Sequence, residues 1–99
     1  MHVITWEFTV RAGCEADFER VYGPRGAWAE LFASSSDYVG TELWRDHAQP
    51  GRYVSVDRWK TADAFAQWKA QHAEAYLRLD AQCEAWTETE TKLGEWLAL

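Results

Sequence analysis

The sequence predicts an α+β domain with the ferredoxin-like order β-α-β-β-α-β and an antiparallel sheet. Four segments alternate apolar and polar residues, as strands do, and two regions space apolar residues by three or four, as helices do. A strand hairpin lies between the two helical regions, and that order defines the arrangement. No repeat, linker or low-complexity tract divides the chain, so residues 1–99 form a single domain.

The first half of the chain predicts a strand followed by an interrupted helix. Residues 2–10 alternate between an apolar face and a mostly polar face. In "RAGCEADF", Gly13 turns the chain, and acidic residues then open a helix, where they suit its dipole. "GPRG" at 23–26 interrupts that helix before helical spacing resumes at Trp28.

The second half predicts a hairpin, a long helix and a final strand. "YVGTELWRD" at 38–46 and "RYVSVDRWK" at 52–60 alternate on either side of the turn "HAQPG". Thr61 is placed to cap a helix whose apolar residues continue to Trp86, with a break expected near 72–76. Residues 88–98 then have strand composition.

Charge and composition limit the partners. The net charge of −6, without a basic cluster, disfavours nucleic acids and anionic membranes. No apolar run of about 18 residues exists, and the start does not resemble a signal peptide, so a cytoplasmic location is expected. Seven Trp residues are many for one small core, which suggests a subunit interface or a ligand pocket.

The residues that bind metals are scattered. Cys14 and Cys83 show no CxxC or Cys–His spacing, and the three His residues form no cluster. The two cysteines are expected to be reduced thiols. The sequence therefore predicts no metal site.

Three stretches resemble the antibiotic biosynthesis monooxygenase family of small dimeric α/β barrels. The family has a first strand followed by a glycine and a helix with a Phe, and "FTVRAGCEADF" is similar to it. The family's Gly-x-x-x-Leu-x-Arg strand is similar to "YVGTELWRD". Its strand ending in acidic-x-Trp, followed by a helix with a Phe, is similar to "GRYVSVDRWKTADAFAQW". Together they cover almost the whole chain in order. The resemblance implies a homodimer in which two sheets face each other, with a cavity between each sheet and its own helices.

The resemblance also implies a chemistry. Some members of the family oxidise electron-rich aromatic compounds, such as polyketide phenols and anthrones, with no metal, flavin or haem. We therefore expect a cofactor-independent monooxygenase for a small aromatic substrate. A haem-degrading branch uses an Asn on the first strand, but this sequence contains no Asn, and Arg78 stands about where that branch has its haem-ligating His. Haem degradation is not expected.

The candidate site centres on the second helical region. Trp68 and His72 are four residues apart and so share a helix face. The catalytic candidates are His72, because an imidazole suits the role of a general base near neutral pH, and Tyr76, a hydroxyl donor. The expected substrate-binding residues are Trp6, Phe32, Arg45, Trp59, Phe65 and Trp68.

Each of these residues also has a purely structural interpretation. Trp68 and His72 fit a core stripe that ends in one hydrogen-bonded polar residue. Trp59 fits an anchor between the sheet and the helix that follows. Arg45 and Asp57, on neighbouring strands, suggest a cross-strand charge pair or a polar corner that holds a phenolate. The alternative function is a non-catalytic dimeric α/β-barrel module that binds a small apolar ligand.

Overall fold

The computed structural model describes residues 1–99 as one antiparallel sheet with helices on one face. The strands are β1 His2–Val10, β2 Tyr38–Arg45, β3 Arg52–Trp59 and β4 Thr87–Leu97; the helices are α1 Glu15–Tyr22, α2 Ala27–Phe32, α3 Ala62–Gln71 and α4 Ala73–Cys83, followed by a 3-10 turn, Glu84–Trp86. The strand order β2-β3-β1-β4 confirms the predicted ferredoxin-like fold. None of the helices has the length and apolar character needed to span a bilayer.

Both helical regions are broken, as the sequence predicted. The first breaks at "GPRG", and the backbone N–H of Gly23 still donates to the carbonyl of Glu19 at 3.0 Å. The second begins with the cap expected from the sequence, because Thr61 Oγ1 accepts from the Ala64 N–H at 3.1 Å. It breaks at His72, which stands between α3 and α4 with φ −118° and ψ 25°.

The hairpin register decides which side chains of β2 and β3 meet. Thr41 lies opposite Asp57, and Arg45 lies opposite Tyr53. The suggested pairing of Arg45 with Asp57 is therefore wrong, since the register separates them by four residues along the hairpin. The guanidinium of Arg45 instead contacts the carboxylate of Glu19 at 3.3 Å.

Gly51 fixes the turn of that hairpin. Its φ of +81° lies in the left-handed region, which glycine adopts without a steric penalty. Its carbonyl accepts from the Val10 N–H at 2.7 Å, so the turn is joined to the end of β1. A Cβ at position 51 would lie 2.9 Å from the Val10 carbonyl oxygen. Both the turn conformation and the close approach require glycine here.

The core between sheet and helices is largely aromatic. Phe18 and Trp59 are fully buried, and Trp59 contacts the rings of Phe32 and Trp68 at centroid distances of 5.5 and 5.8 Å. The other core residues are Ile4, Phe8, Val10, Tyr22, Trp28, Tyr53 and Cys83. Burial of this apolar surface is the main force that holds the helices on the sheet.

The opposite face of the sheet, here called the outer face, is partly apolar and uncovered. Trp44 on β2 and Trp96 on β4, the two edge strands, are 53% and 54% exposed. Val54 and Val3, their register partners, lie on the same face. Ion pairs such as Arg52 Nε with Glu7, at 2.7 Å, share this face with them.

Candidate active site

A cavity of about 260 Å³ lies between the sheet and the helices. It lies just below the range of roughly 300–1,000 Å³ that ligand pockets usually occupy, so it suits a compact ligand. The sheet and all four helices contribute to its wall, which consists of Trp6, Phe8, Tyr22, Trp28, Phe32, Thr41, Ser55, Asp57, Lys69, Tyr76, Asp80 and Glu90.

Three of the residues expected at the site line this cavity: Trp6, Phe32 and Tyr76. Trp59 and Trp68 are buried in the core behind the wall, at 0% and 2% exposure, and neither lines the cavity. Phe65 packs against the ring of Trp59 at 5.2 Å and borders a separate shallow groove with Lys92 and Glu95. These three rings support the wall rather than form its surface.

His72 and Arg45 also lie outside the cavity lining. The imidazole of His72 stacks on Trp68, with ring centroids 5.0 Å apart and an interplanar angle of 14°, and its Nδ1 lies 2.9 Å from the Trp68 carbonyl. Arg45 borders a surface groove that it shares with Glu19 and Tyr53. The cationic residue of the lining is Lys69 on α3.

Asp57 places a carboxylate at the sheet wall of the cavity. Its Oδ1 accepts a hydrogen bond of 2.6 Å from the hydroxyl of Thr41, the residue opposite it on β2. Burial raises the pKa of Asp57 to about 6, and the hydrogen bond from Thr41 offsets part of this rise. An Asp with such a pKa is ionised at neutral pH and is a stronger base than an ordinary carboxylate.

Carboxylates and a cation surround Tyr76 at the solvent side of the cavity. Burial, aided by the negative charges of Asp80, Glu90 and Asp57, raises the pKa of Tyr76 to about 12, so its hydroxyl keeps its proton. The ammonium of Lys69 lies 4.6 Å from the centre of the Tyr76 ring. Asp80 and Glu90 are named here the acidic rim. Burial and the neighbouring Asp80 raise the pKa of Glu90.

Tyr22, Trp28 and Cys83 form a cluster of neutral donors. Burial raises the pKa of the Tyr22 hydroxyl and of the Cys83 thiol, so both groups stay protonated. The indole N–H of Trp28 is buried without a hydrogen-bond partner in the protein. Of these three residues, Tyr22 and Trp28 line the cavity.

Sequence reasoning placed Asp57 only in a polar corner with Arg45 at the cavity mouth and did not identify it as a base, although the pattern of β3 contains a signal. Tyr53, Ser55, Asp57 and Trp59 alternate on one face of that strand, and two of them are large aromatics. A carboxylate between buried aromatics on the core side of a strand departs from the usual pattern, because buried charge is costly. Such a residue is a candidate for function.

The raised pKa of Asp57 predicts a pH-dependent stability. From about pH 4 to pH 6 the folded chain keeps a proton on Asp57 that the unfolded chain, with a pKa near 3.8, has released. Stability contributed by this group therefore falls as the pH rises through that window. We expect the unfolding free energy of Asp57→Asn, relative to that of wild type, to rise by roughly 2–2.5 kcal/mol between about pH 4 and pH 7.5.

Urea unfolding of both proteins at the two pH values measures this effect. Every other titrating group is common to both proteins, so the difference between them isolates residue 57. A difference in unfolding free energy that does not change with pH would contradict the raised pKa.

No group of three or more His, Cys, Asp and Glu side chains is arranged to hold a metal ion. The cavity presents three carboxylates, several donors, one cation and an aromatic wall.

The fold and the chain are similar to known proteins. Residues 1–79 match the family model described as antibiotic biosynthesis monooxygenase. The structure resembles that of SnoaB, a cofactor-independent oxygenase from Streptomyces nogalater, with a TM-score of 0.78 and 28% identity over 99% of this chain and 92% of that chain. A variant of SnoaB gives a TM-score of 0.80 at the same identity, over 98% of this chain and 91% of that one.

A more distant match extends the fold comparison. A NIPSNAP domain protein from Burkholderia xenovorans has a TM-score of 0.73 at 12% identity, over 100% of this chain and 95% of that chain, and shares the fold alone. No curated protein sequence matches the chain. Because the family model covers most of the chain, from β1 into α4, the protein belongs to the antibiotic biosynthesis monooxygenase family.

Proposed function

We propose that this protein is a cofactor-independent monooxygenase that acts on a small electron-rich aromatic compound. The observation that carries the proposal is an aromatic-walled cavity with a carboxylate of raised pKa, Asp57, in its wall. A reaction of this kind needs an apolar slot, a base to form the substrate anion, and donors to stabilise that anion. The likeness to SnoaB gives independent support for oxygenase chemistry.

Asp57 is the base in this proposal, and Tyr76 and Lys69 stabilise the anion. At neutral pH the carboxylate is ionised and takes a proton from a phenol or from an acidic C–H beside aromatic rings. Tyr76 keeps its proton because of its raised pKa, so its hydroxyl donates to the substrate oxygen that gains charge. Lys69 adds a positive charge to the same lining.

The oxygen step then uses electrons from the substrate. The substrate anion reacts with dioxygen to form a C–O bond, and Asp57 returns its proton to the peroxide. Loss of water from the hydroperoxide leaves a new carbonyl group. One oxygen atom enters the product and the other enters water, so a CH₂ group and O₂ yield a C=O group and H₂O without a further reductant.

We also propose that the protein forms a homodimer through the outer face. Exposed Trp residues, valines and Arg-containing ion pairs occur together on that face, and such a composition is typical of protein interfaces. Trp44 and Trp96 lie on opposite edge strands, so a facing sheet would bury both of them.

Replacing Trp44 with Glu is expected to reduce the solution mass from twice the chain mass of 11.4 kDa to a single chain mass. A carboxylate buried at an interface without a partner costs several kcal/mol, by order of magnitude, which is enough to separate two subunits. Light scattering after size-exclusion chromatography measures the mass. Leu77→Glu is the matched control, because Leu77 is 64% exposed on α4 and should leave the dimer intact. A wild-type protein of single chain mass would refute the dimer.

Oxygen uptake with anthrones and electron-rich phenols tests the proposed activity. We expect wild type and His72→Ala to consume oxygen at similar rates, since the imidazole lies outside the cavity lining. A large loss in His72→Ala would restore His72 as the base predicted from the sequence. Saturable binding of these compounds without oxygen uptake would identify a non-catalytic binding module instead.

A further inference from the structure

Two hydrogen bonds in series connect Tyr38, at the edge of the sheet, to Asp57, the proposed base. The hydroxyl of Tyr38 lies 2.6 Å from Thr41 Oγ1, and Thr41 Oγ1 lies 2.6 Å from Asp57 Oδ1. Tyr38 and Thr41 belong to β2, an edge strand, whereas Asp57 belongs to β3. Thr41 and Asp57 line the cavity, but Tyr38 does not.

The chemistry of the three groups fixes the direction of the chain. An ionised carboxylate only accepts hydrogen bonds, and a threonine hydroxyl has one proton to donate. Thr41 therefore gives its proton to Asp57, and Tyr38 must donate to Thr41. Without Tyr38, the Thr41 hydroxyl is free to rotate away from the carboxylate.

Packing holds both hydroxyl groups in place. Thr41 is 9% exposed, and the ring of Tyr38 contacts those of Phe32 and Trp59 at 5.6 and 5.4 Å. Thr41 is also the one side chain that donates a hydrogen bond to Asp57. The second carboxylate oxygen of Asp57 is left without a donor from the protein.

We infer that Tyr38 and Thr41 are positioning residues, which keep Asp57 ionised and oriented with Oδ1 occupied and its other oxygen available to the substrate. The inference rests on the proposed function for the role of Asp57 as a base. It adds that a tyrosine outside the cavity makes a small contribution to the pH range in which that base works.

Other titratable groups face the same cavity from the helices and from β4. They are Tyr22 on α1, Lys69 on α3, Tyr76 and Asp80 on α4, and Glu90 on β4. Substitutions at Tyr38 and Thr41 leave all of these groups unchanged, so they report on the hydrogen-bond chain alone.

Thr41→Val and Tyr38→Phe test the inference, with Tyr53→Phe as the matched control. The hydroxyl of Tyr53 donates to Glu19 at 2.5 Å and takes no part in the chain to Asp57. Removing a hydrogen bond to a charged group should raise the pKa of Asp57 by about one to two units in Thr41→Val. Loss of the hydrogen bond between Tyr38 and Thr41 in Tyr38→Phe should raise the pKa of Asp57 by a few tenths of a unit. Tyr53→Phe should not change it.

Two measurements read out the shift. The carbon-13 shift of the Asp57 carboxyl against pH gives its pKa without any substrate. The acid limb of the pH profile of kcat/KM should move to higher pH by the same amount, a shift that a damaged fold would not produce. An unchanged Asp57 pKa in both variants, or an equal shift in Tyr53→Phe, would overturn the inference. If no aromatic compound is oxidised, the proposed function fails, and the carboxyl titration still decides the role of the two hydroxyls.

Discussion

Replacing Asp57 with Asn is expected to lower kcat for aromatic oxygenation by roughly 10²–10⁴-fold, the contribution typical of a general base. The amide has nearly the shape of the carboxylate, and its oxygen still accepts from the Thr41 hydroxyl, but it takes no proton from the substrate. Oxygen uptake and product formation at saturating substrate measure the loss. The fold should persist, because the substitution removes a buried charge.

The matched control for this prediction is Asp80→Asn. Asp80 also lines the cavity, at the acidic rim, and it has no place in the proposed proton transfer. We expect a change in kcat of less than about tenfold there, since only the surrounding charge is altered. Substrate affinity, followed by tryptophan fluorescence, should remain similar in Asp57→Asn. If that variant kept the kcat of wild type, Asp57 would not be the base.

Replacing Trp59 with Ala is expected to destabilise the protein by roughly 3–5 kcal/mol, the usual loss when a large aromatic is truncated in a core. Trp59 is fully buried and touches the rings of Phe32, Tyr38, Phe65 and Trp68. Its removal leaves a void behind the cavity wall that these stiff rings fill poorly. Urea unfolding of wild type and variant measures the loss.

A comparison of two Trp→Phe substitutions sharpens this prediction. The indole N–H of Trp59 is buried without a partner, whereas that of Trp68 donates to Ser34 Oγ at 2.9 Å. Trp59→Phe removes an unsatisfied donor, and Trp68→Phe removes a hydrogen bond. We expect Trp68→Phe to cost about 1–3 kcal/mol more than Trp59→Phe, although both residues are buried. A larger cost for Trp59→Phe would show that its N–H is satisfied.

The order of strands and helices was predictable because it depends on local periodicity. Alternation over residues 2–10 matches β1 at His2–Val10, and the expected break near 72–76 occurs at His72. The final strand begins one residue earlier than expected, at Thr87. These features need only the residues of each segment, so a single sequence contains them.

The site was less predictable because it depends on the register between strands and on how far each side chain reaches toward the cavity. Trp6, Phe32 and Tyr76 point to the cavity as their periodicity suggested. The pairing of Asp57 with Thr41 follows from the length of the hairpin turn, which the alternation of each strand does not reveal. Helical spacing puts Trp68 and His72 on one face, but it does not say that the imidazole stacks over the indole and lies outside the cavity lining.

The acidic rim also sorts molecules by charge. Asp80 and Glu90 lie in the cavity lining, on a chain whose net charge is −6, so a carboxylated ligand would meet a repulsion there that an uncharged aromatic would not. If Asp57 acts as the proposed base, the same repulsion would oppose the escape of the substrate anion to solvent. The acidic rim would then admit a neutral substrate and retain its anion until a neutral product forms.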